Sequence, residues 1–149
     1  MQESKGLTLV KRFEGYSSTA YKCPAGVWTI GYGTTRYLDC TRVHKGDSFT
    51  KLEAKVHLAH EFNRARWQVI NLVNVPLTLN QLDALASFVY NLGAGAFRAS
   101  TLRKRINDLD FDDVPYQFSR WVYAGGRKLK GLVLRRQAEV NLWLCDDYG

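Results

Sequence analysis

Val27-Trp28-Thr29-Ile30-Gly31-Tyr32 is rich in β-branched and aromatic residues and lies between turn formers, Pro24 and Gly26 before it and Gly33 after it. A short run of that composition fits a pleated surface and reads as a strand in a small sheet. Upstream of it, Leu7, Leu9, Val10 and Phe13 follow helical spacing from Gly6, and Gly15 stops the pattern, which predicts a short amphipathic helix. Residues 16–46 carry aromatic and turn residues in close order, among them Tyr16, Tyr21, Pro24, Gly26, Gly31, Tyr32 and Gly33. They form the β-rich part of the chain.

Beyond Gly46 the pattern is helical to the end. Thr50-Lys51-Leu52-Glu53 has the form of a capping box, in which each side chain satisfies an exposed N–H. It opens a long helix through Leu58, Phe62, Val69 and Ile70 to about Val73, and Pro76 breaks the chain. The next helix starts at Thr78 or Asn80, turns Leu82, Leu85, Ala86, Phe88 and Val89 inward, and ends at Gly93 and Gly95. Shorter helices are expected around 100–107 and 111–123, then a turn at Gly125-Gly126. A last helix from about Leu132 to Leu144 carries Leu132, Ala138, Leu142 and Trp143 inward. The expectation is an α+β fold in one domain over 1–149. An N-terminal helix and a small antiparallel β lobe at about 16–46 are joined by the long helix to a larger helical lobe at about 50–149. A cleft between the lobes suits an extended polymer.

A chain of 149 residues buries about two-thirds of its unfolded surface, enough for one core. No apolar run approaches the ~20 residues that cross a bilayer. The stretch Leu7 to Phe13 is interrupted by Lys11 and Arg12 and precedes no small-residue cleavage site, so it reads as neither signal nor anchor. The expectation is a protein without its own export route and without stable membrane insertion. The net charge of +7 calls for an anionic partner, and charge alone does not choose between nucleic acid, lipid and cell wall. The basic residues belong to no recognisable reading helix or aromatic platform, which argues against nucleic acid. Cys23, Cys40 and Cys145 match neither a zinc pattern nor a disulfide framework. One bridge with one free thiol and a fully reduced set both fit, the reduced set being the simpler. His57 and His60 lie three apart with no third ligand, so no metal or cofactor is expected.

Glycoside hydrolysis needs an acid for the leaving oxygen and a second group for water or the sugar carbon. Glu14 closes the first helix between Phe13 and Tyr16, surroundings that would raise a carboxyl pKa as a general acid requires. On spacing alone it reads as an ordinary solvated carboxylate at a helix end.

The wider pattern decides. Gly6-Leu7-Thr8-Leu9-Val10-Lys11-Arg12-Phe13-Glu14-Gly15, then Ala20-Tyr21, then Gly26 through Thr35, resembles the opening of phage-type lysozymes of glycoside hydrolase family 24. The resemblance continues in Leu79-Asn80-Gln81-Leu82-Asp83-Ala84-Leu85-Ala86-Ser87-Phe88-Val89-Tyr90-Asn91-Leu92-Gly93. It closes with Trp121, Gly125-Gly126 and Gly131-Leu132-Val133-Leu134-Arg135-Arg136-Gln137-Ala138-Glu139. The family pattern sets a Glu, eight intervening residues, Asp or Cys, five more, and Thr. Glu14, Cys23 and Thr29 meet that spacing.

The resemblance implies a lysozyme-like fold and a monomeric endolysin that hydrolyses the muramic acid to glucosamine bond of peptidoglycan. It would be made in the host cytoplasm and released to the wall through a membrane lesion. Glu14 would be the general acid and Thr29 a holder of the attacking water. Gly31, Tyr32 and Arg136 are expected at the substrate: Gly31 by keeping the cleft floor free of side chains, and Arg136 at the cleft rim, where it contacts wall carboxylates or pairs with Glu139 as structural support. Cys23 departs from the usual Asp. A thiol with an unshifted pKa of about 8.5 is only a few per cent thiolate at neutral pH. Its role stays open between base for water, which the inverting family favours, nucleophile, and bystander. Two further readings compete: a lytic transglycosylase driven by Glu14 alone, and a non-catalytic cationic protein that binds wall or membrane.

Overall fold

The computed structural model describes residues 3–145. Helix α1 (Lys5–Glu14) leads into strands β1 (Ser17–Lys22) and β2 (Trp28–Gly31), followed by the long helix α2 (Lys51–Leu72). Then come α3 (Leu79–Leu92), α4 (Ala94–Arg98), α5 (Thr101–Asn107), a 3-10 turn at Phe111–Asp113, and α6 (Val114–Ser119). A hairpin of β3 (Tyr123–Ala124) and β4 (Arg127–Lys128) precedes α7 (Lys130–Trp143). The described chain forms two compact units, one of Lys11–Asn63 and one of the residues up to Val10 with those from Arg64 onward; the divisions fall inside α1 and α2.

In the Lys11–Asn63 unit, β1 and β2 pair antiparallel, with Tyr21 opposite Thr29 and Lys22 opposite Trp28, and a bulge between Ser17 and Tyr21. The turn after β2 is tight. Ile30 and Thr34 exchange both backbone hydrogen bonds at 2.8 Å across Gly31-Tyr32-Gly33. That turn demands φ of +64° at Gly31 and +81° at Gly33, a region in which a Cβ is strained. Ile30, Val43, Phe49, Ala54, Leu58 and Phe62 are buried. The ring of Phe49 packs at 4.7 Å on that of His57 and at 5.6 Å on that of Tyr37. The capping box of α2 forms as the sequence predicts. The Glu53 amide donates to Thr50 Oγ1 at 3.1 Å and the Thr50 amide to Glu53 Oε1 at 3.0 Å.

In the other unit, α3 starts at the Thr78 cap, which forms a second box with Gln81. Asp83 to Val89 are buried without a break, so the middle of α3 is enclosed on all sides. Gly6 lies against it: a Cβ there would fall 2.4 Å from that of Asp83. Asp83 itself takes a two-pronged ion pair from Arg66, at 2.7 and 2.9 Å. Phe88 makes edge contacts with Phe97, Phe118 and Trp121.

Several expectations need correction. Helix α3 ends at Gly93 alone; Gly95 lies inside α4, which sequence reading passes over. The helix expected at 111–123 stops at Ser119, because Tyr123-Ala124 pairs with Arg127-Lys128 around Gly125-Gly126. Ile70 is exposed. The buried residues of α7 are Arg135, Arg136, Glu139, Leu142 and Trp143, whereas Leu132 and Ala138 are only half-buried. An inward face made largely of charges defeats an apolar periodicity.

Candidate active site

Glu14 is the last residue of α1, and Gly15 leaves the helix at φ +68° after donating to Lys11 O at 3.0 Å. Beside the carboxylate stands Gly33: a Cβ built there would meet Glu14 Oε2 at 2.6 Å. The glycine keeps side-chain atoms out of the space that the carboxylate fills.

Cys23 follows directly on β1. Its amide donates to Val27 O at 3.0 Å, and the Gly26 amide donates to Cys23 O at 2.8 Å. Pro24 and Gly26 thus fold a tight turn, and Val27, Trp28 and Thr29 return beside Cys23. Hydrogen bonding from the Val27 backbone pulls the thiol below its ordinary pKa. Ala25 and the Thr29 side chain add to this, partly offset by desolvation. Backbone N–H groups aimed at sulfur favour the thiolate.

Thr29 is 5% exposed, and its hydroxyl donates to Val27 O at 3.0 Å. A hydroxyl has one proton and two lone pairs. Thr29 can therefore accept from a neutral Cys23 thiol while donating to Val27, or turn its proton toward the thiolate.

Tyr21 is the residue that sequence reasoning passed over. It pairs with Thr29 across the sheet, so the two side chains share a face, and it lies two positions before Cys23. Burial raises the pKa of its phenol, and the charges of Glu14 and Cys23 raise it further. One phenol therefore lies within electrostatic reach of both groups and stays a neutral hydrogen-bond donor. The Ala20-Tyr21 pair was visible in the sequence, but the register that brings it opposite Thr29 depends on the bulge in β1.

The three expected substrate contacts are placed differently. Gly31 is buried, and a Cβ there would press on Phe49 at 3.0 Å and Ala54 at 3.2 Å, so its missing side chain serves internal packing. Tyr32 is buried beneath Tyr16, with ring centroids 5.3 Å apart, and Lys11 Nζ lies 5.7 Å from its ring centre. The exposed aromatic of that pair is Tyr16.

Arg136 is 1% exposed and lies in the other unit. Its Nε sits 2.7 Å from Glu139 Oε1 in a close ion pair without hydrogen-bond alignment, and Nη2 donates to Asn91 Oδ1 at 2.6 Å. The guanidinium covers the ring of Phe88 at 5.2 Å. Arg135 and the Ser87 hydroxyl complete the shell around Glu139. These groups face one another and tie Arg136 into the interior, while Arg136 also lines a recess of about 440 Å³.

All three cysteines are free thiols. His57 turns Nδ1 to Glu53 O at 2.9 Å. Among the described residues no group of three or more His, Cys, Asp or Glu is arranged to hold a metal ion.

The family model described as phage lysozyme matches residues 11–139, which include Glu14, Cys23 and Thr29. The chain belongs to the phage lysozyme family. Among relatives of this phage lysozyme, an endolysin of Acyrthosiphon pisum secondary endosymbiont phage 1 is 41% identical over 143 residues, covering 93% of this chain and 94% of the relative. A SAR-endolysin of Enterobacteria phage PA-2 is 39% identical, covering 87% of this chain and 78% of the relative. Among solved structures, the endolysin from Escherichia coli O157:H7 phage FAHEc1 superposes with a TM-score of 0.87 at 35% identity, covering 100% of this chain and 97% of that one. The α+β, lysozyme-like fold expected from the sequence is the fold of the phage lysozyme family.

Proposed function

We propose that this member of the phage lysozyme family is an endolysin that hydrolyses the β-1,4 bond between N-acetylmuramic acid and N-acetylglucosamine in peptidoglycan, and so lyses the host cell. The observation that carries the reading is the placement of the Glu14 carboxylate against Gly33 in the turn after β2, the strand whose Thr29 follows the turn closed between Cys23 and Val27 and lies opposite Tyr21. Glu14, protonated, gives its proton to the glycosidic oxygen as the bond to the sugar carbon breaks. A water oriented by the Thr29 hydroxyl attacks that carbon, and the Cys23 thiolate takes the proton the water releases. The step ends with Glu14 ionised and Cys23 neutral, and exchange with solvent restores both.

The hydrogen bonds that lower the Cys23 pKa support its role as base, since a neutral thiol accepts no proton. Family membership among lysozymes disfavours the transglycosylase and non-catalytic readings. Among the described residues no helix is long and apolar enough to cross a membrane. We infer that the protein acts on the wall as a monomer, made in the host cytoplasm and released through a lesion, with its net charge of +7 drawn to anionic wall polymer rather than to nucleic acid.

The test is lysis of wall suspensions by the parent and by Glu14→Gln. The reading requires that Glu14→Gln be inactive while still folded by circular dichroism. A folded Glu14→Gln that clears walls at the parent rate refutes it.

A further inference from the structure

Strand β2 has two faces. Thr29 points to the face shared with Tyr21, so Trp28, its neighbour in sequence, points to the opposite one. Around Trp28 lies a recess of about 400 Å³ whose lining runs from the Gly26-Val27 turn and Trp28 to Thr35, Arg36, Arg42 and His44. Three of these side chains are basic and none is acidic. Arg36 and Arg42 stand opposite one another on an antiparallel bridge. Like charges in that position repel and disfavour the pairing.

Protein anions do not relieve the repulsion. Arg36 Nη1 donates to the carbonyl of Cys40 at 3.1 Å, and among the described residues no carboxylate pairs with Arg36 or Arg42. The acids of the same loops are engaged elsewhere. Asp39 accepts from the Thr41 amide and hydroxyl, and Asp47 accepts from the Tyr37 hydroxyl and the His44 amide. Two guanidinium forks beside a half-buried indole, with no acid among them, match an oxyanion carried on a larger molecule.

We propose that Arg36, Arg42, His44 and Trp28 form an oxyanion-binding recess, which takes a carboxylate or phosphate group of the cell-wall polymer. That choice of ligand source rests on the muramidase reading; the anion site itself does not. A group held there tethers the enzyme to the polymer beside the turn that carries Cys23.

The experiment uses the full chain labelled with nitrogen-15 and carrying Glu14→Gln, so that binding is read without turnover. Three probes are titrated at fixed ionic strength: inorganic phosphate, a stem peptide with free carboxylates, and that peptide with its carboxylates amidated. The expected result is saturable shifts of the Trp28 indole N–H and of the Arg36 and Arg42 Nε–H signals. Arg42→Gln is expected to weaken binding about tenfold, as loss of one charge-assisted pair would. The same substitution removes the like-charge opposition and is expected to raise the melting temperature in the absence of anion. Shifts with the free peptide but not the amidated one assign a carboxylate, and shifts with phosphate alone assign a phosphate. No saturable shift with any probe, or equal affinity in Arg42→Gln, overturns the site. Wall cleavage is measured separately on a chain that retains Glu14. Binding without any cleavage there keeps the recess and removes only the muramidase reading.

Discussion

The carboxylate of Glu14 occupies the space that a side chain on Gly33 would need. A Cβ at Gly33 would sit 2.6 Å from Oε2 and 3.2 Å from the carboxyl carbon. Helix end and turn are thus fitted to each other at the group assigned the proton transfer. Gly33→Ala is expected to displace Glu14 and lower the hydrolysis rate by more than about tenfold, the scale on which a misplaced catalytic group acts. Gly46→Ala supplies the control, since Gly46 also has positive φ, +90°, but nothing lies within 4 Å of its added Cβ. Both variants should lose about 1 kcal/mol of stability from backbone strain. Equal activity in the two would detach Glu14 placement from Gly33.

Cys23 gives a pH signature. Its pKa lies below the ordinary cysteine value because Val27, Ala25 and Thr29 hydrogen-bond the sulfur. If the thiolate is the base, activity is lost as pH falls through that lowered pKa and regained as pH rises through it. Cys23→Asp should hold its activity to lower pH, because a carboxylate ionises near pH 4. Cys23→Ser should lose most activity at every pH where the parent works. A Cys23→Ser enzyme at full rate would make the thiol a bystander.

The phenol of Tyr21 lies within electrostatic reach of both reacting groups, and its raised pKa keeps the proton on oxygen. Tyr21→Phe retains the ring and removes only the donor. The side chain is 41% exposed, so the thermal midpoint should hardly move. The kcat on a defined glycan is expected to fall by roughly three- to tenfold, the worth of one hydrogen bond. An unchanged kcat would leave Tyr21 outside the site.

Arg136 belongs to stability. Glu139 is fully buried against Arg135 and Arg136, so Glu139→Gln leaves two interior guanidinium groups without their anion. Removing one partner of such a cluster costs about 3–5 kcal/mol. Urea unfolding should show that loss, and Arg136→Gln should fall in the same range. A surface arginine would give neither result.

What the sequence disclosed follows local physics. The Thr50 and Thr78 caps, the break at Pro76 and the apolar stripe of α3 depend on neighbours within a turn, and each is legible from spacing. The Glu14, Cys23 and Thr29 intervals are legible for the same reason. The pairing of Arg136 with Glu139, three residues on, is legible from helical spacing, whereas partners such as Asn91 and Ser87, 45 and 48 residues from the arginines they bind, have no local signal. Phe49 and Ala54 approach Gly31 from beyond the turn, a contact that local spacing does not announce. The strand Ser17–Lys22 has no apolar alternation to announce it, since it is half-buried at most. Its register, and with it the position of Tyr21, is set by long-range pairing.

Product analysis on purified peptidoglycan tests the account most directly. Digests by the parent and by Cys23→Asp are separated and weighed by mass spectrometry. Hydrolysis through a water activated at Cys23 predicts muropeptides with a reducing muramic acid end, each heavier by one water than its anhydro counterpart, from both enzymes. Anhydro-muramic products from the parent would contradict it, because they form when a hydroxyl of the substrate replaces that water.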